Sequence, residues 1–221
     1  MHQRDFFNYY RCRNCSTLNV KEYPDSSLIA DLYSSMPANM QALVSEHNQS
    51  RNQTAYARLI SNLMNPIKKS GLTCLELGAD RGLLLRALKG FLPSKLGTYL
   101  AIEPNQGVSA QLTHKNNGAL PAVHTFPSLD KAFDIYHGSV DVAVAIHVLD
   151  HVFSTDELLS ALVSRLSSDG LIFFVVHNPQ SILARLMGSF WPAYCAQHPQ
   201  LFTPKGVRLM AHRFGLEVAS S

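Results

Sequence analysis

The stretch Leu75-Glu-Leu-Gly-Ala-Asp-Arg-Gly82 sets two glycines, Gly78 and Gly82, around a short polar turn. Glycine at such a turn tolerates positive φ and lets a ligand approach the backbone with no Cβ in the way. A pyrophosphate-binding crossover uses Gly-x-Gly-x-x-Gly to bring the diphosphate onto a helix N-terminus. Here Asp80 occupies the third place of that pattern, and a carboxylate there repels a diphosphate. It suits a cofactor bearing a cationic sulfonium and an α-amino group. Glu103 closes the next apolar run, followed by Pro104, about 20 residues on, where an acid can accept both hydroxyls of a ribose. A second set of reactive side chains, His147, His151, His177 and His198, falls at the ends of apolar runs or in loops. Histidine is the natural proton acceptor near neutral pH.

These residues need elements to hold them. Thr73–Leu77, Thr98–Ile102, Ala122–Phe126, Val140–Ile146 and Leu171–Val176 read as strands, the last apolar enough to be buried on both faces. Between and after them, 83–88, 108–115, 155–166 and 204–214 read as helices, with Ser154 or Thr155 as a cap and Ser168-Asp-Gly170 as a turn. Regular alternation means parallel strands with right-handed crossovers. The expected class is therefore α/β, a Rossmann-like, doubly wound, mainly parallel sheet with an N-terminal helical extension. Ligands of such sheets bind beyond the carboxyl ends of the strands, where strand order reverses. Three parts are expected: residues 1–24 with Cys12-Arg-Asn-Cys15, a helical stretch or lid over 25–70, and a cofactor-binding domain over 71–221.

Composition narrows the class. With 46% hydrophobic and 16% charged residues in 221, the chain is globular. A formal charge of +3 with scattered basic residues argues against nucleic acid as substrate. No apolar run reaches the length of a membrane span. No signal-peptide pattern opens the chain, so a cytoplasmic location is expected.

Taken in order, four further blocks make the pattern specific. Leu75–Gly82 resembles the first motif of class I S-adenosylmethionine-dependent methyltransferases, and Ala101-Ile-Glu-Pro-Asn105 resembles their second, acidic-strand motif. Asp141–Val152 is similar to their fourth-strand signature, and Leu166–Ile172 to the turn and strand that follow. His198–Pro204 with Phe214-Gly-Leu-Glu-Val218 resembles their C-terminal pattern. The resemblance covers about residues 72–218. It implies S-adenosylmethionine as cofactor, with Glu76 and Gly78 near its methionyl end, Gly82 at the close helix approach and Glu103 on the ribose. It also implies Ile146 and His147 beside the methyl group. A class I sheet has seven strands, and 216–218 would begin only the sixth.

Methyl transfer from a sulfonium is an in-line displacement, so the protein must position the nucleophile and, for a hydroxyl, take its proton. His147 is the first choice to face the methyl, either as base or as cofactor wall. His198 resembles the histidine that deoxysugar C-methyltransferases set beside an acid, although Gln197 stands in the acid's place. Phe190, Trp191 and Tyr194 are either an apolar lid or a packed loop. The expected acceptor is a small molecule or a saccharide-linked group, methylated at oxygen or carbon. Phe7–Cys15 resembles half of the zinc module found ahead of several such enzymes, but only His2 lies near it. No metal is therefore expected. The rivals are a nicotinamide or nucleotide-sugar enzyme, which Asp80 opposes, and a degenerate domain that binds a partner without turnover.

Overall fold

The computed structural model describes residues 8–20, 46–105, 107–108, 112, 121–195 and 197–219 of the 221. They belong to two compact units, one of Ala38–Ile146 with Ser164–Phe174, the other of Met1–Pro37, His147–Val163 and Val175–Ser221.

The first unit is built on strands β3 (Leu72–Leu77), β4 (Leu96–Ile102), β5 (Ala122–Phe126), β6 (Val140–Ile146) and β7 (Leu166–Val175), in the spatial order β5-β4-β3-β6-β7. β3 pairs in parallel with β4 and with β6, and β4 in parallel with β5. Strand order thus reverses beside β3, the strand that carries the glycine turn. All six residues of β3 are buried, as an apolar central strand requires. Helices α1 (Glu46–Met64) and α2 (Leu83–Phe91) pack together, placing Ile60, Met64, Leu84, Leu85 and Leu88 in one core with Leu72, Tyr99, Val142 and Val144. Each such side chain contributes about 1.5–3 kcal/mol by leaving water. A short helix α3 (Leu129–Ile135), unannounced by apolar periodicity, is capped by Ser128, whose Oγ accepts from Lys131 N.

Two sequence readings change here. Ser168-Asp-Gly170 lies inside β7 rather than in a turn, because the strand begins at Leu166, directly after helix α4 (Thr155–Arg165). β7 is also only half-buried, since it ends the strand order and has a single neighbour. The helix expected over 108–115 and the apolar positions over 28–44 fall largely outside the described residues.

The second unit holds a small antiparallel sheet of β1 (Tyr9–Arg11), β2 (Leu18–Val20) and β8 (Gln200–Leu201), in the order β1-β2-β8. Cys12–Cys15 is the turn between β1 and β2, closed by Ser16 N donating to Cys12 O at 2.9 Å. Helices α5 (Ile182–Met187) and α6 (Pro204–Arg213) follow, the latter capped by Thr203. Trp191 is buried with Leu18, Ala184, Ala193 and Leu201, and Tyr194 packs edge-on against its ring at 5.2 Å. Those two aromatics are core rather than lid, while Phe190 is exposed. Residues 216–218 form no strand, and Val218 is exposed. Among the described residues no helix is long and apolar enough to cross a membrane.

Candidate active site

In the first unit the turn after β3 folds against the end of β4. Gly78 N and Ala79 N both donate to Ile102 O, at 2.9 and 3.2 Å, and Gly82 N donates to Ala79 O at 2.9 Å. Gly78, Asp80 and Gly82 all have positive φ, of 70°, 42° and 71°. Aspartate is among the few residues that enter this region at modest cost, which explains how it replaces a glycine here. The positive φ favours glycine at Gly82, and a Cβ there would also have to displace the Leu112 Cδ2 methyl, which it would meet at 2.3 Å. The Asp80 carboxylate lies 3.9 Å from Arg81 Nε, so part of its charge is already answered within the loop.

Glu103 locks this turn. Its Oε2 accepts from Asp80 N and its Oε1 from Asn105 N, both at 2.9 Å. A carboxylate has about four acceptor positions, so two remain open. Pro104 is exposed beside it. Glu76 is 5% exposed, and Tyr99 Oη donates to its Oε2. Desolvation pushes the Glu76 carboxyl up to about 8, opposed by the Tyr99 hydrogen bond and reinforced by the charges of Asp80 and Glu103. Glu76 is therefore a neutral acid at pH 7. Ile146 ends β6 half-buried against the core.

In the second unit four imidazoles gather around one buried carboxylate. Ring centroids are 4.6 Å apart for His147 and His177, 4.7 Å for His177 and His198, and 4.6 Å for His151 and His198. Asp150, fully buried in the short 3-10 turn Leu149–His151, accepts at Oδ2 from His177 N at 3.0 Å and from His177 Nδ1 at 2.7 Å. That bond places the His177 proton on Nδ1 and leaves Nε2 as the basic nitrogen. His198 Nδ1 is 2.8 Å from Ala193 O, which can only accept, so His198 is also basic at Nε2. His147 is exposed at φ 53°, with its N donating to Val175 O at 2.9 Å. Desolvation and His177 lower its pKa; desolvation lowers His198; and desolvation with His198 nearby brings His151 down to about 4.

The structure thus collects Glu76, Gly78, Asp80, Gly82 and Glu103 at one turn, and His147, His151, His177 and His198 in one cluster. Asp150 is the residue that the sequence reading underrated. Its only signal was an acid three residues after His147, a spacing that many turns share. Its carboxylate orients His177. His147, Asp150 and His177 have the donor types to hold a metal ion. Cys12 and Cys15 are free thiols, and among the described residues no third ligand joins them.

A family model described as a methyltransferase domain matches residues 46–221. No curated protein sequence matches the chain. Among solved structures, a plantazolicin methyltransferase in complex with SAH is similar at a TM-score of 0.64 and 16% identity, over 84% of this chain and 72% of that one. Magnesium protoporphyrin IX methyltransferase from Synechocystis PCC 6803 with bound SAH is similar at 0.61 and 14% identity, over 89% and 91%. An S-adenosylmethionine-dependent methyltransferase of Leishmania major is similar at 0.61 and 14% identity, over 88% and 74%. At these identities the structures establish the fold. The family match, which spans the glycine turn, the acid at the end of β4 and the histidine cluster, establishes the rest: the chain belongs to the methyltransferase domain family.

Proposed function

We propose that this chain transfers a methyl group from S-adenosylmethionine to a small-molecule or saccharide-linked acceptor, at oxygen or carbon. The observation that carries the reading is Glu103. It pins the glycine turn through Asp80 N and keeps acceptor capacity for the two hydroxyls of a ribose. The donor set fits this cofactor: an acid for the ribose, a backbone free of Cβ atoms at Gly78 and Gly82, and Asp80 where a diphosphate would be repelled. When bound, S-adenosylmethionine supplies a methyl group made electrophilic by its sulfonium.

The chain's own residues do the remainder. Glu103, with Pro104 beside it, orients the ribose, and the turn from Gly78 to Gly82 bounds the methionyl end, with neutral Glu76 below it. Ile146 and His147 line the methyl side. His177 is the prepared proton acceptor, because Asp150 holds its Nδ1–H and steadies the imidazolium that forms. His198, basic at Nε2, is the second candidate. The acceptors of the similar structures, plantazolicin and magnesium protoporphyrin IX among them, differ widely, so the acceptor is set outside the shared sheet.

The test pairs calorimetry with S-adenosylhomocysteine and turnover against hydroxylated small molecules and saccharides. His177→Ala should cut turnover by about 100-fold or more with cofactor affinity unchanged, and His147→Ala by less. Absence of S-adenosylhomocysteine binding to the wild-type chain would sink the reading.

A further inference from the structure

We infer that His147, Asp150 and His177 form a binding site for one divalent transition-metal ion, with zinc the best fit to two imidazoles and a carboxylate. The three residues come from the end of β6, the 3-10 turn after it, and the segment after β7. Their ligand atoms all lie within 4.8 Å of one another. With metal–ligand bonds of about 2.1 Å, tetrahedral ligands stand about 3.4 Å apart, so closing the widest pair takes up to about 1.4 Å of side-chain movement.

An aspartate–histidine pair alone leaves two features unexplained. Asp150 is fully buried, and although Oδ2 serves His177, its Oδ1 has no hydrogen-bond partner among the described residues. A buried carboxylate oxygen left unpaired is costly, and a metal ion is one of the few things that satisfies it. His147 also approaches His177 to 4.6 Å between centroids without a hydrogen bond between the rings to hold it there. One ion shared by both imidazoles and Asp150 accounts for both features.

The surroundings suit such a site. The backbone is fixed on two sides, by His147 N on Val175 O and by His177 N on Asp150 Oδ2. His198, whose own Nδ1 is anchored on Ala193 O, packs against His177 with ring centroids 4.7 Å apart and limits where that ring can move. Three protein ligands with His147 exposed leave a coordination position for water or an acceptor, as in catalytic rather than structural sites. The consequence for chemistry rests on the methyl-transfer reading, whereas the binding does not. With the ion bound, His177 is a ligand rather than the base: an acceptor hydroxyl on the ion gives up its proton more readily, and His198 Nε2, otherwise the second candidate, takes that proton.

The experiment titrates the metal-stripped full chain with Co(II) and then Zn(II), by visible absorption and calorimetry. Cys12→Ser/Cys15→Ser is used alongside the wild type to separate the N-terminal thiols. The expected result is one tight Co(II) per chain, displaced by Zn(II), kept in the cysteine double variant and free of thiolate charge-transfer bands. His177→Ala should weaken it at least about 100-fold, and His147→Ala, at an exposed position, should weaken it as well, with circular dichroism confirming that both variants fold. No binding, or binding that vanishes with the cysteines and ignores both histidine variants, overturns the inference. S-adenosylhomocysteine affinity measured on the same samples distinguishes the two readings: intact cofactor binding without metal binding overturns the metal site alone.

Discussion

The glycine turn and the histidine cluster are both candidate machinery, yet they are built in opposite ways. The turn leads from β3 into α2 and folds against the end of the neighbouring strand β4, whose parallel register carries Ile102 beside Leu77 and thereby brings Glu103 to Asp80 N. Its parts are close in sequence and its bonds are mostly backbone. The cluster draws on three separate segments, around 147–151, 177 and 198, and its bonds are mostly from side chains. The electrostatics differ too. Burial at the turn holds an acid, Glu76, neutral by raising its pKa, whereas burial in the cluster lowers the pKa of His151 and His198. A site made by strand register takes its position from the sheet. A site made by converging loops can be retuned one residue at a time.

That contrast can be broken most forcefully at Glu103. Glu103→Ala removes two charge-assisted hydrogen bonds to the loop, each worth about 1.5–3 kcal/mol, besides those proposed for the ribose. Cofactor affinity by calorimetry should fall by about 100-fold or more while the circular dichroism spectrum stays native. Unchanged affinity would mean that the turn is only structural.

Glu76 sharpens the electrostatic half. Its folded pKa of about 8 lies above the ordinary 4.5, so its contribution to stability is fully present below about pH 4.5 and is lost as pH rises through about 8. Across that window the loss is on the order of a few kcal/mol. Glu76→Gln keeps an acceptor for Tyr99 but cannot ionise, so urea midpoints should become flatter with pH and exceed those of the parent above pH 8. Parallel pH curves for the two proteins would place the ionised form in the folded state.

The smallest effect belongs to the loop-built region. Tyr9 Oη lies 2.8 Å from His198 O and 3.1 Å from Cys195 O, tying the N-terminal strand to the segment that carries His198. Tyr9→Phe should cost about 1 kcal/mol in denaturant unfolding, the usual worth of one such bond. It should disturb turnover more than S-adenosylhomocysteine affinity. Equal loss of both would show that the cluster and the turn are not separable.

The sequence by itself determined what depends on short range. Apolar runs marked strands β3 to β6, the glycine turn marked the carboxyl end of β3, and the distance from Gly82 to Glu103 marked the acid that closes on that turn. Each is legible because a strand, a positive-φ turn and a neighbouring parallel strand are set by local composition and one crossover. Only the tertiary structure decided that β7 starts at Leu166, that Trp191 packs inward, that Cys12–Cys15 is a hairpin turn, and that Asp150 meets His177. These depend on which distant segments meet. A buried carboxylate chooses its partner by where the fold puts the nearest donor, and spacing along the chain carries almost no record of that.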